Sequence, residues 1–413
     1  MVRRSIMLVA GEASGDLLGA ELVPELRRRL IESESQPTTD WQPLRTTLEP
    51  EFFGAGGPRM ASAGVNLAVD MTQHAVVGVS EVIRKYRDFQ RLFQQLLRLA
   101  MDRQPDAIVC IDFSGFNLRL AHAIRKRVAA AQGTFGNWRP RIIQYVSPQV
   151  WASRPARAQV MKRDHDLLLS VIPFEKSWYA EHAPRLKVEF VGHPLIDRYA
   201  HGGAPPIRQP STGFNLVLLP GSRAGEIRRH LDVMLQALTQ IRAAKPDLRA
   251  CLVSPNNRVQ KAVRERLLPR DLELRVGDLG SVLRETDVAL ASTGTVTLEC
   301  AYFGVPTVAL YRTSWLTYQI GKRLIRVKFL AMPNLLAGEA IFPEFIQTAA
   351  TASNLAQAVL ALLDNPARRE AVRVKLAGIV RTLGSPGASA RAAAAIVSLV
   401  RAEPRPIRAA LRP

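Results

Sequence analysis

The chain has 413 residues, room for two or three domains at about 100 to 200 residues each. Hydrophobic residues make up 47% and charged ones 22%, which excludes a disordered polyelectrolyte; 56 Lys plus Arg against 36 Asp plus Glu give a net charge of +20 and a surface that attracts anions. Cys110, Cys251 and Cys300 lie far apart with no C-x-x-C spacing, which argues against a disulfide framework or a structural zinc and fits a reducing compartment.

In chain order, Met1 to Ser5 carries two arginines, but the apolar stretch Ile6 to Ala10 is too short for a secretory segment. It reads instead as a buried strand followed by a glycine loop and a helix over Leu17 to Leu30. The strand, loop and helix pattern recurs. Strands are expected at Ala107 to Ile111, Ile142 to Val146, Leu167 to Ile172 and Val188 to Val191, with a helix over Leu118 to Ala131. His201 to Gly213, dense in Gly and Pro, reads as a linker. Beyond it, strands are expected at Asn215 to Leu219, Arg249 to Val253, Val288 to Ala291 and Thr307 to Tyr311. Strands alternating with helices predict α/β architecture, with two doubly wound parallel-sheet domains over 1–200 and 214–385. A C-terminal helix and tail over 386–413 can cross back to the first domain. In such folds ligands sit at the carboxyl ends of the strands, here expected in a cleft between the domains. Asp40 to Glu51 lacks any pattern and reads as a surface loop.

The loops carry the chemistry. Gly11-Glu12-Ala13-Ser14-Gly15-Asp16 lies between the first strand and its helix, where glycines and free N–H groups let a substrate approach; its two acids favour a sugar or hydroxyl ligand over a bare phosphate. An ordinary strand-to-helix turn is the plainer alternative. Phe53 to Met60, a glycine run with Arg59, reads as a second ligand-facing loop. Asp112 closes a strand in an apolar setting, the place for a general base, although an N-cap would look the same. Gly221, Ser222, Arg223 and Glu226 open a helix after an apolar strand, so the helix N-terminus and the Arg223 guanidinium can converge on a diphosphate. Thr293, Gly294, Thr295 and Glu299 again join strand to helix; a carboxylate one turn beyond the loop suits ribose hydroxyls, or an ordinary capping box. Asp164-His165-Asp166 resembles a divalent-metal D-x-D only superficially, since no partner ligands lie near in sequence, and no metal is expected.

Ala75 to Leu99 is amphipathic. Val82, Tyr86, Phe89, Phe93 and Leu96 form one core stripe, while Val76, Val77, Val79, Ile83 and Leu92 exceed it among Arg84, Lys85, Arg87 and Arg91. Apolar side chains ringed by cations describe an interfacial element on an anionic membrane, and Ser314 to Leu330 repeats the theme. No apolar run approaches the length of a membrane span. Aromatics are only 6% and are not interleaved with the basic residues along one groove, which argues against nucleic acid.

The motifs VAGEASGD, FFGAGGPRM, VVGVSEVI, IDFSGFN, YVSPQVWASR, PFEKSWY, FVGHPLID, LLPGSRAGEI, TGTVTLE and MPNLLAGEAIFPEFIQ, in this order, resemble the lipid-A-disaccharide synthase family over nearly the whole chain. That family has the GT-B fold, two Rossmann-like domains facing across a cleft. The resemblance implies an inverting transferase that joins UDP-2,3-diacylglucosamine to 2,3-diacylglucosamine 1-phosphate, giving a β-1,6 disaccharide 1-phosphate and UDP without metal or cofactor. It implies a cytoplasmic enzyme held peripherally on the inner face of the inner membrane. The family's catalytic aspartate falls on Asp112 and its essential arginine on Arg223. Gly294, Thr295 and Glu299 match its uridine and ribose loop; Asn334 and Gln347 match positions near the donor; Gly11 to Asp16 and Asn117 match the acceptor side. Ser114-Gly115 stands where the family commonly has Pro-Asp, Ser153 where it has Trp, and Thr293 where it has Ser. The rivals are another UDP-sugar enzyme on the same scaffold, such as a 2-epimerase, and a non-catalytic lipid-binding homologue.

Overall fold

The computed structural model describes residues 4–34, 49–74, 86–133, 137–200 and 213–402. It divides into two compact units, Met1–Asp197 with Ser385–Pro413, and Arg198–Gly384.

The first unit holds β1 (Ser5–Ala10), β2 (Glu51–Gly56), β3 (Asn66–Asp70), β4 (Ala107–Ile111), β5 (Arg141–Tyr145), β6 (Leu167–Ser170) and β7 (Val188–Phe190). They form one sheet in the order β3-β2-β1-β4-β5-β6-β7, parallel throughout. Every residue of β4 and β5 is buried, as expected of central strands covered by helices on both faces. Glu51–Gly56 was expected as the end of one loop and the start of another; it is strand β2, whose glycines mask an apolar run with Phe52 and Phe53 fully inside.

The helix Tyr86–Arg103 packs Leu96 and Leu97 into the core, with Phe89, Leu92 and Phe93 against it. Leu92, expected among the membrane-facing excess, is therefore a core contact. Val76, Val77, Val79, Ile83, Arg84 and Lys85 lie outside the described residues, as does most of the expected linker.

The helix Ala388–Arg401 belongs to this first unit, where it packs on the helix Ala13–Glu34. Its entry is fixed by Asp197, whose carboxylate accepts from the N–H groups of Gly387 and Ser389 at 2.5 and 3.3 Å. Arg391 donates to the Val191 carbonyl at 2.8 Å, a further tie.

The second unit holds β8 (Asn215–Leu219), β9 (Arg249–Ser254), β10 (Glu273–Val276), β11 (Val288–Ser292), β12 (Thr307–Tyr311) and β13 (Glu344–Ile346) in the order β10-β9-β8-β11-β12-β13, again parallel. Leu216, Leu218, Leu290 and Val308 fill one side of the sheet with the helices Ala224–Ala244 and Ala352–Leu363. Val217, Leu219, Ala289 and Ala291 fill the other with the helix Val296–Tyr302. In both sheets the winding reverses beside the first strand, between β1 and β4 and between β8 and β11. A crevice opens at the carboxyl ends of strands at such a reversal.

Candidate active site

In the first unit the loops leaving β1 and β4 meet at that reversal. The Ser14 hydroxyl donates to Asp112 Oδ2 at a long 3.5 Å. Asp112 and Phe113 are consecutive non-glycine residues in left-handed backbone, φ +49° and +45°. Each such residue costs on the order of 1 kcal/mol or more, and persists only where its surroundings fix it. Two buried amides do so: Asn117 Nδ2 donates to the Asp112 carbonyl at 2.9 Å and Gln144 Nε2 at 3.2 Å. The Asp112 N–H donates to the Tyr145 carbonyl at 2.9 Å. The turn thus lifts a half-buried carboxylate out of the strand end and aims it beside Ser14. Phe113 stacks on Phe116, and a Cβ on Gly11 would fall 2.2 Å from the Phe113 ring, so the first loop needs glycine there.

Two expected acceptor contacts take different places. Asp16 is buried, and its carboxylate accepts from the N–H groups of Gly57, Arg59 and Met60 at 2.8, 3.1 and 3.0 Å. It satisfies the open start of the helix Pro58–Ser62 and shapes the loop instead of facing a ligand. Asn117 is fully buried beneath Asp112, a positioning residue. Glu12 is half-buried and Ser14 exposed at the loop surface, and Gly15 is buried with its Cα face toward the Ile111 carbonyl. Gly115 is exposed with open space where a side chain would be, so the departure from Pro-Asp leaves room and not a repacked core.

Sequence reasoning missed Gln144 and also Glu175, at the start of the helix Glu175–His182. Glu175 is fully buried; its Oε1 accepts from Trp151 Nε1 at 2.9 Å, and its Oε2 lies 2.6 Å from Ser170 Oγ. Burial pushes its carboxyl up to about 7 against those hydrogen bonds. Ser170 Oγ also lies 2.8 Å from the Ile172 carbonyl, which can only accept. Below about pH 7 the protonated acid resolves the competition, Glu175 donating to Ser170 and Ser170 to Ile172. The network ties the loop after β5, with Trp151, to the loop after β6. Asp164 and Asp166, the superficial metal motif, are held by Arg163 and His122 and by Arg125 respectively. Among the described residues no three His, Cys, Asp or Glu side chains converge on one point.

In the second unit, Gly221 has φ +124°, and a Cβ there would fall 2.4 Å from Glu226 Oε2. Glu226 folds beneath the loop, accepting from the N–H groups of Ser222 and Arg223 at 2.9 and 3.3 Å. Expected on the donor, this carboxylate is a helix cap that takes up two of the N–H groups expected to meet the diphosphate. Arg223 remains an exposed guanidinium at the start of the helix Ala224–Ala244, 3.8 Å from Glu226. His230, nearly two turns into that helix and fully buried, donates from Nδ1 to the Pro220 carbonyl at 2.8 Å and accepts at Nε2 from the Arg312 N–H at 3.0 Å. Burial holds it neutral by lowering its pKa.

The loop after β11 carries Gly294, φ +135°, with open space beside it, and the exposed Thr295, whose side chain forms no cap bond to the helix. The capping-box alternative is therefore not what Thr295 does. Thr293 is half-buried, its N–H on the Leu310 carbonyl. Glu299 accepts from Tyr199 at 3.4 Å and lies 3.8 Å from Arg198; burial raises its pKa. Asn334 and Gln347, matched to positions near the donor, are both engaged within the protein. Asn334 is fully buried, its Oδ1 accepting from Ile341 and Phe342 and its Nδ2 donating to the Phe342 carbonyl and to Glu344. Gln347 pairs both ends of its amide with the Thr313 backbone at 2.7 and 3.2 Å. Asn334 braces the entry to β13, and Gln347 braces the segment just beyond β12.

Two parallel-sheet α/β units, each with a winding reversal beside its first strand, give the GT-B architecture. Solved structures of similar fold include the calicheamicin glycosyltransferase (TM-score 0.57, 17% identity, 98% of this chain and 100% of the other). Another is the UDP-GlcNAc 2-epimerase of Neisseria meningitidis (TM-score 0.59, 11% identity, 96% and 100%). The chain belongs to the lipid-A-disaccharide synthase family: the model described as lipid-A-disaccharide synthetase matches residues 6–396. Curated relatives bearing that name include those of Geobacter sulfurreducens, 37% identical over 96% of this chain and 97% of the relative, and Pseudomonas paraeruginosa, 34% identical over 96% and 98%. It is a glycosyltransferase of lipid A disaccharide formation.

Proposed function

We propose that the chain transfers the 2,3-diacylglucosaminyl group of UDP-2,3-diacylglucosamine to the 6-hydroxyl of 2,3-diacylglucosamine 1-phosphate, with inversion, releasing UDP. The observation that carries this reading is the Asp112 turn: a carboxylate on strained backbone, fixed by two buried amides at the reversal between β1 and β4. Asp112 takes the proton of the acceptor hydroxyl as its oxygen bonds to the anomeric carbon. The bond from that carbon to the diphosphate breaks, its electron pair leaving with UDP. Arg223 and the helix start at Ala224 offset the charge that develops there. Gly294, Thr295 and Glu299 hold the uridine and ribose, with Gly221 and Ser222 beside the diphosphate. Gly11, Glu12, Ser14 and Gly15 receive the acceptor. The segment Val76 to Lys85 attaches the enzyme peripherally to an anionic membrane, on the cytoplasmic side where UDP-sugars are made; no helix among the described residues is long and apolar enough to cross one.

The test incubates the protein with both lipid substrates in the presence of a chelator and follows UDP and disaccharide by mass. Equal amounts of both products are expected. Turnover of UDP-N-acetylglucosamine as fast as its diacylated form would overturn the lipid assignment in favour of another UDP-sugar reaction.

A further inference from the structure

An amphipathic helix normally stays in place by burying its apolar stripe. The helix Trp315–Leu324, after β12 in the second unit, buries none of its residues. Its apolar side chains face outward: Trp315 is 73% exposed, Leu316 59%, Ile320 49% and Leu324 37%, with Ile325 just beyond at 42%. These are five of the eight large apolar side chains exposed among the described residues, so the concentration is local. With Gln319 and Arg323, four of them line a single open depression of about 630 Å³.

The charge around this face has one sign. Between Glu299 and Glu339 the sequence has no acid, but it has Arg312, Lys322, Arg323, Arg326 and Lys328. Lys322, Arg323 and Arg326 form no ion pair with a described residue. A face for a second copy of this chain would set these like charges against one another unless acids met them, and none lies in the segment. An anionic bilayer meets both features: its headgroup boundary accepts indole and aliphatic side chains, and its phosphates accept the cations.

We propose that the helix Trp315–Leu324 and the residues to 330 form a docking element of the second unit for an anionic bilayer surface. It is separate in sequence from Val76 to Lys85. It goes beyond the transferase reading, since it would stand whatever sugar nucleotide the second unit holds.

The full-length protein is mixed with vesicles of phosphatidylcholine containing about 30% phosphatidylglycerol, and with phosphatidylcholine vesicles alone. Brominated acyl chains are expected to quench tryptophan emission in the wild type, and Trp315→Phe to remove most of that quenching while binding is kept. The double variant Leu316→Ser with Ile320→Ser is expected to bind anionic vesicles about tenfold more weakly. Lys322→Glu with Arg323→Glu is expected to lose the preference for anionic over neutral vesicles. Circular dichroism checks that each variant is folded. Transfer between detergent-dispersed substrates is measured separately; its absence in the wild type would sink the transferase reading and leave this one standing. Equal quenching in wild type and Trp315→Phe, or unchanged vesicle affinity in the serine variant, overturns the proposal. So does a self-association that the serine variant abolishes while vesicle binding persists.

Discussion

Replacing Glu175 by Gln should stabilise the protein at and above neutral pH. The folded carboxyl titrates at about 7 against an ordinary 4.5, and the residue is fully buried, so solvent screening does not reduce the effect. A raised carboxyl pKa means the folded state holds a proton that the unfolded state has released. Stability is therefore greatest below about pH 4.5, falls as pH rises through the window, and levels off above about 7. The shift corresponds to about 3 kcal/mol at about 1.4 kcal/mol per pH unit, of which about 2.5 falls between pH 5 and 8. Gln reproduces the protonated acid: its amide donates to Ser170 Oγ and its carbonyl accepts from Trp151, with no proton to lose. The assay is urea unfolding of both proteins at about pH 5 and pH 8, followed by tryptophan emission. Trp41, Trp138, Trp151 and Trp178 all precede residue 198, so the signal reports chiefly on the first unit. The variant should gain on the wild type by about 2 to 3 kcal/mol between the two pH values. Parallel pH dependence in the two proteins would show that Glu175 is ionised in the fold and that the donor chain through Ser170 is wrongly drawn.

Asp112→Asn should lower kcat by about a hundredfold or more while the thermal midpoint stays put, because Asn tolerates left-handed backbone well and loses only the base; a kcat within a factor of a few of wild type in the disaccharide assay would remove Asp112 from that role. Gln144→Ala leaves the Asp112 carbonyl with Asn117 alone and is expected to lower kcat about tenfold with little change in KM; an unchanged kcat would mean that one amide suffices. Gly221→Ala meets both a left-handed φ and the Glu226 carboxylate and should cost about 1 kcal/mol or more, read as a lower unfolding midpoint. Gly115→Ala, with open space and helical backbone, should raise that midpoint by the equivalent of about 0.5 to 1 kcal/mol.

The central strands were legible because both faces of their sheets are covered, so β1, β4, β8 and β11 read as apolar runs, and the loops that follow them hold the candidate site residues. The edges were not. β10 and β13 are short, they and β3 have partly exposed residues that give no period, and β2 hid behind Gly54 and Gly56. In the site, residue type revealed where Asp112 and Arg223 stand but not which polar neighbours work behind them. Asp16 reaches Gly57, Gln144 reaches Asp112, and His230 joins Pro220 to Arg312, pairings made only once strands distant in sequence lie side by side. Nor does residue type show that Asn334 bonds to Ile341, Phe342 and Glu344, or Gln347 to the Thr313 backbone.

The return of residues 388–401 to the first unit sets an order on how the molecule can be made. During synthesis everything from Arg198 to Gly384 leaves the ribosome before the chain can supply the helix Ala388–Arg401 to the helix Ala13–Glu34. The unit that begins first is thus the last to be completed. A nascent chain halted near residue 384 would present that helix face bare, a hydrophobic surface for chaperones or for aggregation, while the second unit could already be whole.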